Sequence, residues 1–363
     1  MIKILLFILI FLTNINESFS ALNNEIKTFN QKLMNKNLIF NLVQPNYQNN
    51  LNEYIEEMKA HKLYARYSKN FDLNKIDLNN LQYGVIVDKT DLRFLPTTVP
   101  LMDDRFDLLE LTEVKFGEGI NIITYTKDKN WALVATNNYI GWLKTKSIAY
   151  TNSNTFKSYL NIYEGDFLVN TSPKTVIENK EINMGAKFEL VKETSNLYHI
   201  NFPTKNNKDI LTFKKVKISK SSNLHYGFLN YNETNILKQA DKYLGNRYLW
   251  GGMSDKVDCS GFINNVFATF GFILPRDSSK INLINNATTL DIKEAKVGDL
   301  IYFNGHIMLY IGDGKIIHSV ASYYNKNKQK VNVMKVKTDY LDKIYRKNNK
   351  TFLENIENII TLK

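Results

Sequence analysis

From Gly84 onward the chain is cut into short β-rich runs, and helical spacing does not return until after Tyr231. That switch of period limits the architecture more than any single motif. Val85–Val87, Asp91–Leu95, Gly119–Tyr125, Trp131–Ala135 and Tyr139–Leu143 form a first batch with polar turns between them, the pattern of a small barrel. Asp166–Val169, Thr175–Glu178, Phe188–Val191, Leu197–Ile200 and Ile210–Ile218 form a second batch of similar length. Beyond Tyr231, apolar residues at Ile236, Leu237, Ala240, Tyr243 and Leu244 follow the helical period behind Asn232, which can cap. A second helix reads from Cys259 through Phe262, Ile263, Val266 and Phe267 to Gly271, and Asp299–Phe303, His306–Ile311 and Lys315–Ser319 read as strands. Helices first and an antiparallel meander after is an α+β order.

Ahead of the β region, Leu51, Tyr54, Ile55 and Met58 recur at helical spacing behind Asn49-Asn50, which predicts one amphipathic helix packed on the β region. The first residues read differently. Lys3, the apolar run Ile4–Leu12 and Ser18-Phe19-Ser20 before Ala21 have the charged, apolar, small-residue order of a secretory signal peptide. The run is well short of the ~20 apolar residues of a spanning helix, so no stable membrane insertion is expected after cleavage. No cysteine stands at the cleavage point to carry a lipid, and a periplasmic protein is expected, with secretion the alternative. At 363 residues several modules are expected. The division is a signal peptide over 1–20, a helical segment over 21–80, barrels over 81–150 and 151–222, an α+β domain over 223–350 and a C-terminal helix or tail over 351–363.

Charge narrows the partners. The net charge of +11 is spread thinly, and its densest run, Lys326, Lys328, Lys330, Lys335 and Lys337, lacks the interleaved aromatics of a nucleic-acid binder. It reads as a solvated face with a weak attraction to an anionic cell envelope, and no nucleic-acid partner is expected. A monomer is expected.

The chain has one cysteine, Cys259, so an exported protein would have no internal disulfide. Cys259 falls where a glycine-bearing loop, Gly251-Gly252 to Asp258, meets the start of the apolar helix. A helix N-terminus favours thiolate over thiol, and an imidazole partner favours it further, so a depressed thiol pKa is expected. His61, His199 and His225 lie on the polar helix, in the β region and in the linker after it, which leaves His306 and His318 on consecutive strands. A two-residue turn at Gly312-Asp313-Gly314 would separate the two imidazoles onto opposite faces. An odd loop or a bulge there would put them on one face, which is the arrangement a Cys-His-His site requires. No His-Glu-x-x-His or Cys-x-x-Cys spacing exists, and neither metal nor cofactor is expected.

These residues carry a resemblance. Gly245-Asn246-Arg247-Tyr248-Leu249-Trp250-Gly251-Gly252, Asp258-Cys259-Ser260-Gly261-Phe262, Val297-Gly298-Asp299-Leu300, Gly305-His306-Ile307 and Ile317-His318-Ser319 stand in the order of the NlpC/p60 family of cell-wall cysteine endopeptidases. The run Val85–Thr97 with Trp131 and Gly141-Trp142 resembles the bacterial SH3-like domains of its multidomain members. The resemblance implies a papain-like α+β domain behind two SH3-like barrels, with peptidoglycan stem peptides as substrate. It implies hydrolysis of the bond between D-glutamate and a diamino acid such as diaminopimelate. By position it makes Cys259 the nucleophile, His306 the base, His318 the third catalytic residue and Tyr248 an oxyanion neighbour. Asp258 and Ser260 take the positions that hold a free N-terminal amine, that of L-alanine. Two other readings are open: an amidase cutting the glycan-to-peptide bond, and a non-catalytic wall-binding protein.

Overall fold

The structure is a computed structural model and describes residues 24–362 apart from 221–222 and 285–290. The signal peptide expected over 1–20 lies outside the described residues. Helix Gln48–Ala60 buries Leu51, Tyr54 and Met58, and Tyr54 donates its hydroxyl proton to the Phe94 carbonyl at 2.7 Å. Asn49 and Asn50 lie inside its first turn, and no side chain caps it. A second N-terminal helix, over 24–35, was not expected. Its apolar positions are sparse among Asn, Lys and Gln, yet Ile26 and Leu33 enter the core of the C-terminal domain. Asn30 fixes it there, donating to the Gly271 carbonyl at 2.9 Å and accepting from the Ile273 amide at 3.0 Å.

The first β unit is a seven-stranded sheet in the order Glu110–Val114, Thr90–Arg93, Ile140–Lys144, Trp131–Ala135, Gly119–Tyr125, Gln82–Ile86 and Ile148–Thr151. Trp131 and Trp142 are both buried, so core packing is their use. Gly141 is required by a close approach, since a Cβ there would meet Leu92, Leu111 and the Arg93 carbonyl at 2.8–3.0 Å. The second unit is a five-stranded sheet, Leu211–Ser219, Leu197–Lys205, Lys187–Glu193, Phe167–Asn170 and Leu224–Tyr226, beside the hairpin Lys174–Ile177 and Lys180–Asn183. Reading 151–222 as all-β missed helix Ser153–Leu160, which Asn152 caps by accepting from the Thr155 amide at 3.0 Å. The two units share a core in which Val85, Phe116 and Ala149 pack with Leu168, Phe188 and Phe202.

The C-terminal part sets helices Glu233–Asp241 and Cys259–Ala268 against a five-stranded sheet, Lys330–Tyr340, Lys315–Tyr324, His306–Gly312, Leu300–Phe303 and Asn358–Ile360. The mixture is α+β, with helices and a β-rich SH3-like region preceding it. The tail over 351–363, expected as a helix or tail, makes one 3-10 turn at Leu353–Asn355 and then adds an edge strand, Leu300 pairing with Ile360. The lysine-rich run forms most of strand Lys330–Tyr340 and the turn before it, with Lys326, Lys328, Lys330 and Lys335 in solvent.

Candidate active site

Cys259 is the first residue of its helix, and Asp258 is the N-cap, accepting from the Gly261 amide at 2.7 Å. The other carboxylate oxygen accepts from the Gly251 amide at 3.0 Å and from Arg276 at 2.6 Å. Arg276 is buried and also donates to the Ser260 hydroxyl at 2.8 Å, the Gly251 carbonyl at 3.1 Å and the Thr112 hydroxyl of the first β unit at 2.6 Å. Asp258 is therefore one end of a buried ion pair, with its charge already matched by Arg276. Ser260 is tied into the same cluster. Nothing in the local sequence marks Arg276 as the partner, because Pro275-Arg276 reaches the site only through tertiary packing.

The preceding loop is held from outside its own domain. The Ser254 amide donates to both carboxylate oxygens of Glu113, at 3.0 and 3.1 Å, and the Glu113 amide donates to the Gly251 carbonyl at 3.0 Å. Asn183 of the second β unit donates to Glu113 at 3.1 Å and to the Ser254 carbonyl at 2.8 Å. Gly251 must be glycine on two counts. Its φ is +75°, and a Cβ would lie 2.9 Å from the Glu110 side chain.

Burial pushes the Cys259 thiol up to about 11, Asp258 adds to the rise, and the Ile307 amide opposes it. The depressed thiol expected from the helix N-terminus is thus reversed in the resting protein, because the dipole argument is local and desolvation is not. Tyr248 is buried with its ring on Phe106 at 5.8 Å, and its hydroxyl is raised by burial first and by the neighbouring Cys259 thiol next.

Strands His306–Gly312 and Lys315–Tyr324 pair Tyr310 with Ile316 but Gly312 with Lys315, so a bulge at Ile311 restores the parity that a two-residue turn would break. His306 and His318 share a face, with His306 Nε2 2.8 Å from His318 Nδ1. His318 is 0% exposed, and its Nε2 lies 3.1 Å from Asp339 Oδ2 on strand Lys330–Tyr340. Lys337 bridges the other Asp339 oxygen at 2.7 Å, and its hydrogen bonds with His318 and Lys337 hold Asp339 below the usual carboxylate range against its own burial. Burial drives His306 well below the ordinary imidazole pKa, helped by His318 and Arg346. No hydrogen bond joins Cys259 to His306 among the described residues.

Sequence reasoning missed Asp339, which no motif brings near His318, and it missed a second carboxylate at the loop. Glu110 lies against Gly251, and its backbone carbonyl accepts from the indole of Trp250 at 3.1 Å. Burial, with Asp91 adding, lifts the Glu110 carboxyl to about 7. Trp250 is 43% exposed and packs on Phe106 at 5.9 Å. The structure thus brings Tyr248, Asp258, Cys259 and Ser260 together at the helix start and pairs His306 with His318 on the sheet.

Comparison with known proteins shows what the chain is similar to. Residues 245–349 match the NlpC/P60 family and residues 93–144 match an SH3 domain of the SH3b1 type. The chain is 25% identical over 197 residues to a gamma-D-glutamyl-L-lysine dipeptidyl-peptidase of Bacillus cereus, covering 50% of this chain and 56% of that protein. It is 38% identical over 90 residues to a probable endopeptidase p60 of Listeria seeligeri, covering 23% of this chain and 17% of that one. The chain therefore spans little more than half of the one relative and under a fifth of the other. A solved NlpC/P60 endopeptidase from Photobacterium damselae subsp. piscicida superposes with a TM-score of 0.65 at 21% identity, over 84% of this chain and 80% of that one. An NlpC/P60 family protein from Bacillus cereus gives 0.57 at 19% identity, over 77% and 99%. Those two likenesses establish the fold. The chain contains an NlpC/P60 domain and an SH3b domain.

Proposed function

We propose that the protein is an extracytoplasmic cysteine peptidase that hydrolyses peptidoglycan stem peptides at the γ-D-glutamyl–diamino acid bond. The observation that carries this reading is a lone cysteine at a helix start, in a domain whose sheet supplies a His306–His318–Asp339 chain.

The chain of contacts sets the proton positions. Asp339 is an acceptor, so His318 Nε2 carries a proton and His318 Nδ1 accepts. His306 Nε2 is then the donor between the rings, and His306 Nδ1 keeps its lone pair for the Cys259 proton. With the thiol raised and His306 lowered, the resting pair is neutral, and proton transfer accompanies attack. Sulfur adds to the amide carbonyl as His306 takes the proton. First-turn amides and the Tyr248 hydroxyl stabilise the oxyanion, and protonated His306 delivers its proton to the leaving amine. Water, activated by His306, then hydrolyses the thioester.

Substrate choice depends on which carboxylate is free. Asp258 is neutralised by Arg276, whereas the Glu110 carboxyl makes no hydrogen bond among the described residues. A free N-terminal ammonium of L-alanine is therefore matched to Glu110, with Asp258 and Ser260 lining the same end through Gly251. Mass analysis of digests of L-alanyl-γ-D-glutamyl-diaminopimelate and its N-acetyl form tests the reading. Release of diaminopimelate from the free form ahead of the acetylated one is expected. Release from glycan of a stem peptide with a free L-alanine amine instead would make the protein an amidase.

A further inference from the structure

The N-terminal helix, both β units and the far end of helix Cys259–Ala268 meet around a cavity of about 630 Å³. Neither Cys259 nor either active-site imidazole lines it; Asn264 and Ala268, toward the other end of that helix, do. Lys115 and Glu118 of the first β unit and Lys187 of the second also line it. Neither lysine forms an ion pair or side-chain hydrogen bond among the described residues, and the Lys187 ammonium rests over the rings of Tyr163 and Phe228, 5.8 Å from each centroid. The three charged groups lie close enough to act on one another. Burial lowers both lysines, while Glu118 is lifted to about 7 by burial although Lys115 pulls it down.

The shared core of the two β units is filled with apolar side chains, whereas this junction keeps three charged groups beside open space. Desolvated ammonium groups without a matched anion are costly, and they persist here in front of open space of small-ligand size. Two ammonium groups and one carboxyl are complementary to a small molecule with two carboxylates and one ammonium.

We propose that this junction cavity is a second binding site, separate from the Cys259 cleft, for a small amino dicarboxylate: an acidic amino acid or a dipeptide that ends in one. Both sources share the recognised chemistry, and the probes tell them apart.

The test is calorimetric titration of the full protein with D-glutamate and, separately, with L-alanyl-D-glutamate. Saturable binding of at least one probe is expected, unchanged in Cys259→Ala and weakened about tenfold or more in both Lys115→Met and Lys187→Met. The tighter probe identifies the source. Without ligand, Lys115→Met should melt higher than the parent, because it removes a partly desolvated charge held in no ion pair. No saturable binding of either probe, or binding that survives both lysine substitutions, overturns the proposal. So does a lower melting temperature in both Lys115→Met and Lys187→Met, the result expected if the lysines serve the fold.

Discussion

The two halves of the candidate active site are built on different principles. The sheet half, His306, His318 and Asp339, is assembled within one antiparallel meander, where register alone sets which side chains meet. The helix half is held by neighbours: Thr112 and Glu113 from the first β unit and Asn183 from the second bond the loop and the arginine that frame Cys259. The proposed base is thus a property of the C-terminal domain, and the setting of the proposed nucleophile depends on all the modules. That difference explains why the SH3-like region packs on the domain through buried polar contacts.

Substitutions can break this contrast at either end. Removing the reacting groups should have the largest effect: Cys259→Ala and His306→Ala should each lower kcat by about 10⁴-fold or more with the melting temperature nearly unchanged. Steady-state rates beside thermal unfolding check this, and full activity in Cys259→Ala would refute the peptidase reading.

Arg276→Met comes next and acts on the helix half. It strands Asp258 without its partner, so a loss of about 3–5 kcal/mol of stability is expected from denaturant unfolding, together with lost activity. The sheet half should respond without unfolding. Asp339→Asn should lower kcat by about 10- to 100-fold, less than a direct loss of base, because His318 still orients His306. His318→Asn or His318→Gln should retain part of the rate, since an amide also accepts from His306.

Glu110→Gln should raise KM for the free-amine peptide by about tenfold and leave the N-acetyl peptide unchanged. Its sign with pH is set by burial. A carboxyl lifted to about 7 is ionised only above that pH, so affinity for an ammonium should improve as pH rises through 7. Glu110→Gln should flatten that limb in a kcat/KM profile. The smallest effect is expected for Glu113→Gln, which keeps the shape but weakens its bonds to Ser254. About 1 kcal/mol of stability should be lost, with a rise in protease nicking of the 251–257 loop.

Sequence legibility divides along the same line. Cys259, His306 and His318 could be read because local signals carry them: a loop-to-helix switch for the thiol and a parity rule for the imidazoles. The bulge that satisfies the rule falls at Ile311, beside a turn where Gly312, Asp313 and Gly314 all take positive φ. Arg276, Asp339 and Glu110 could not be read, since each meets the site from a segment whose own pattern says nothing about it. The thiol pKa was misjudged for the same reason. A helix N-terminus is visible in sequence, but the burial that outweighs it is assembled from distant residues. The helix over 24–35 escaped because Ile26 and Leu33 are spaced through polar residues and acquire an apolar partner only from the C-terminal core.

The clasp between Asn30 and the Gly271–Ile273 turn carries a consequence for the order of folding. Those partners are separated by 241 and 243 positions, so an early-made helix depends on a late-made turn. Contacts of such sequence separation are slow to form, and until they do Ile26 and Leu33 have no core to enter. During vectorial synthesis or export the β units can therefore collapse first, while the leading helix waits for the last third of the polypeptide. The bond that closes Asn30 onto that turn is a late step of maturation, and a chain interrupted before residue 271 leaves its own beginning undocked.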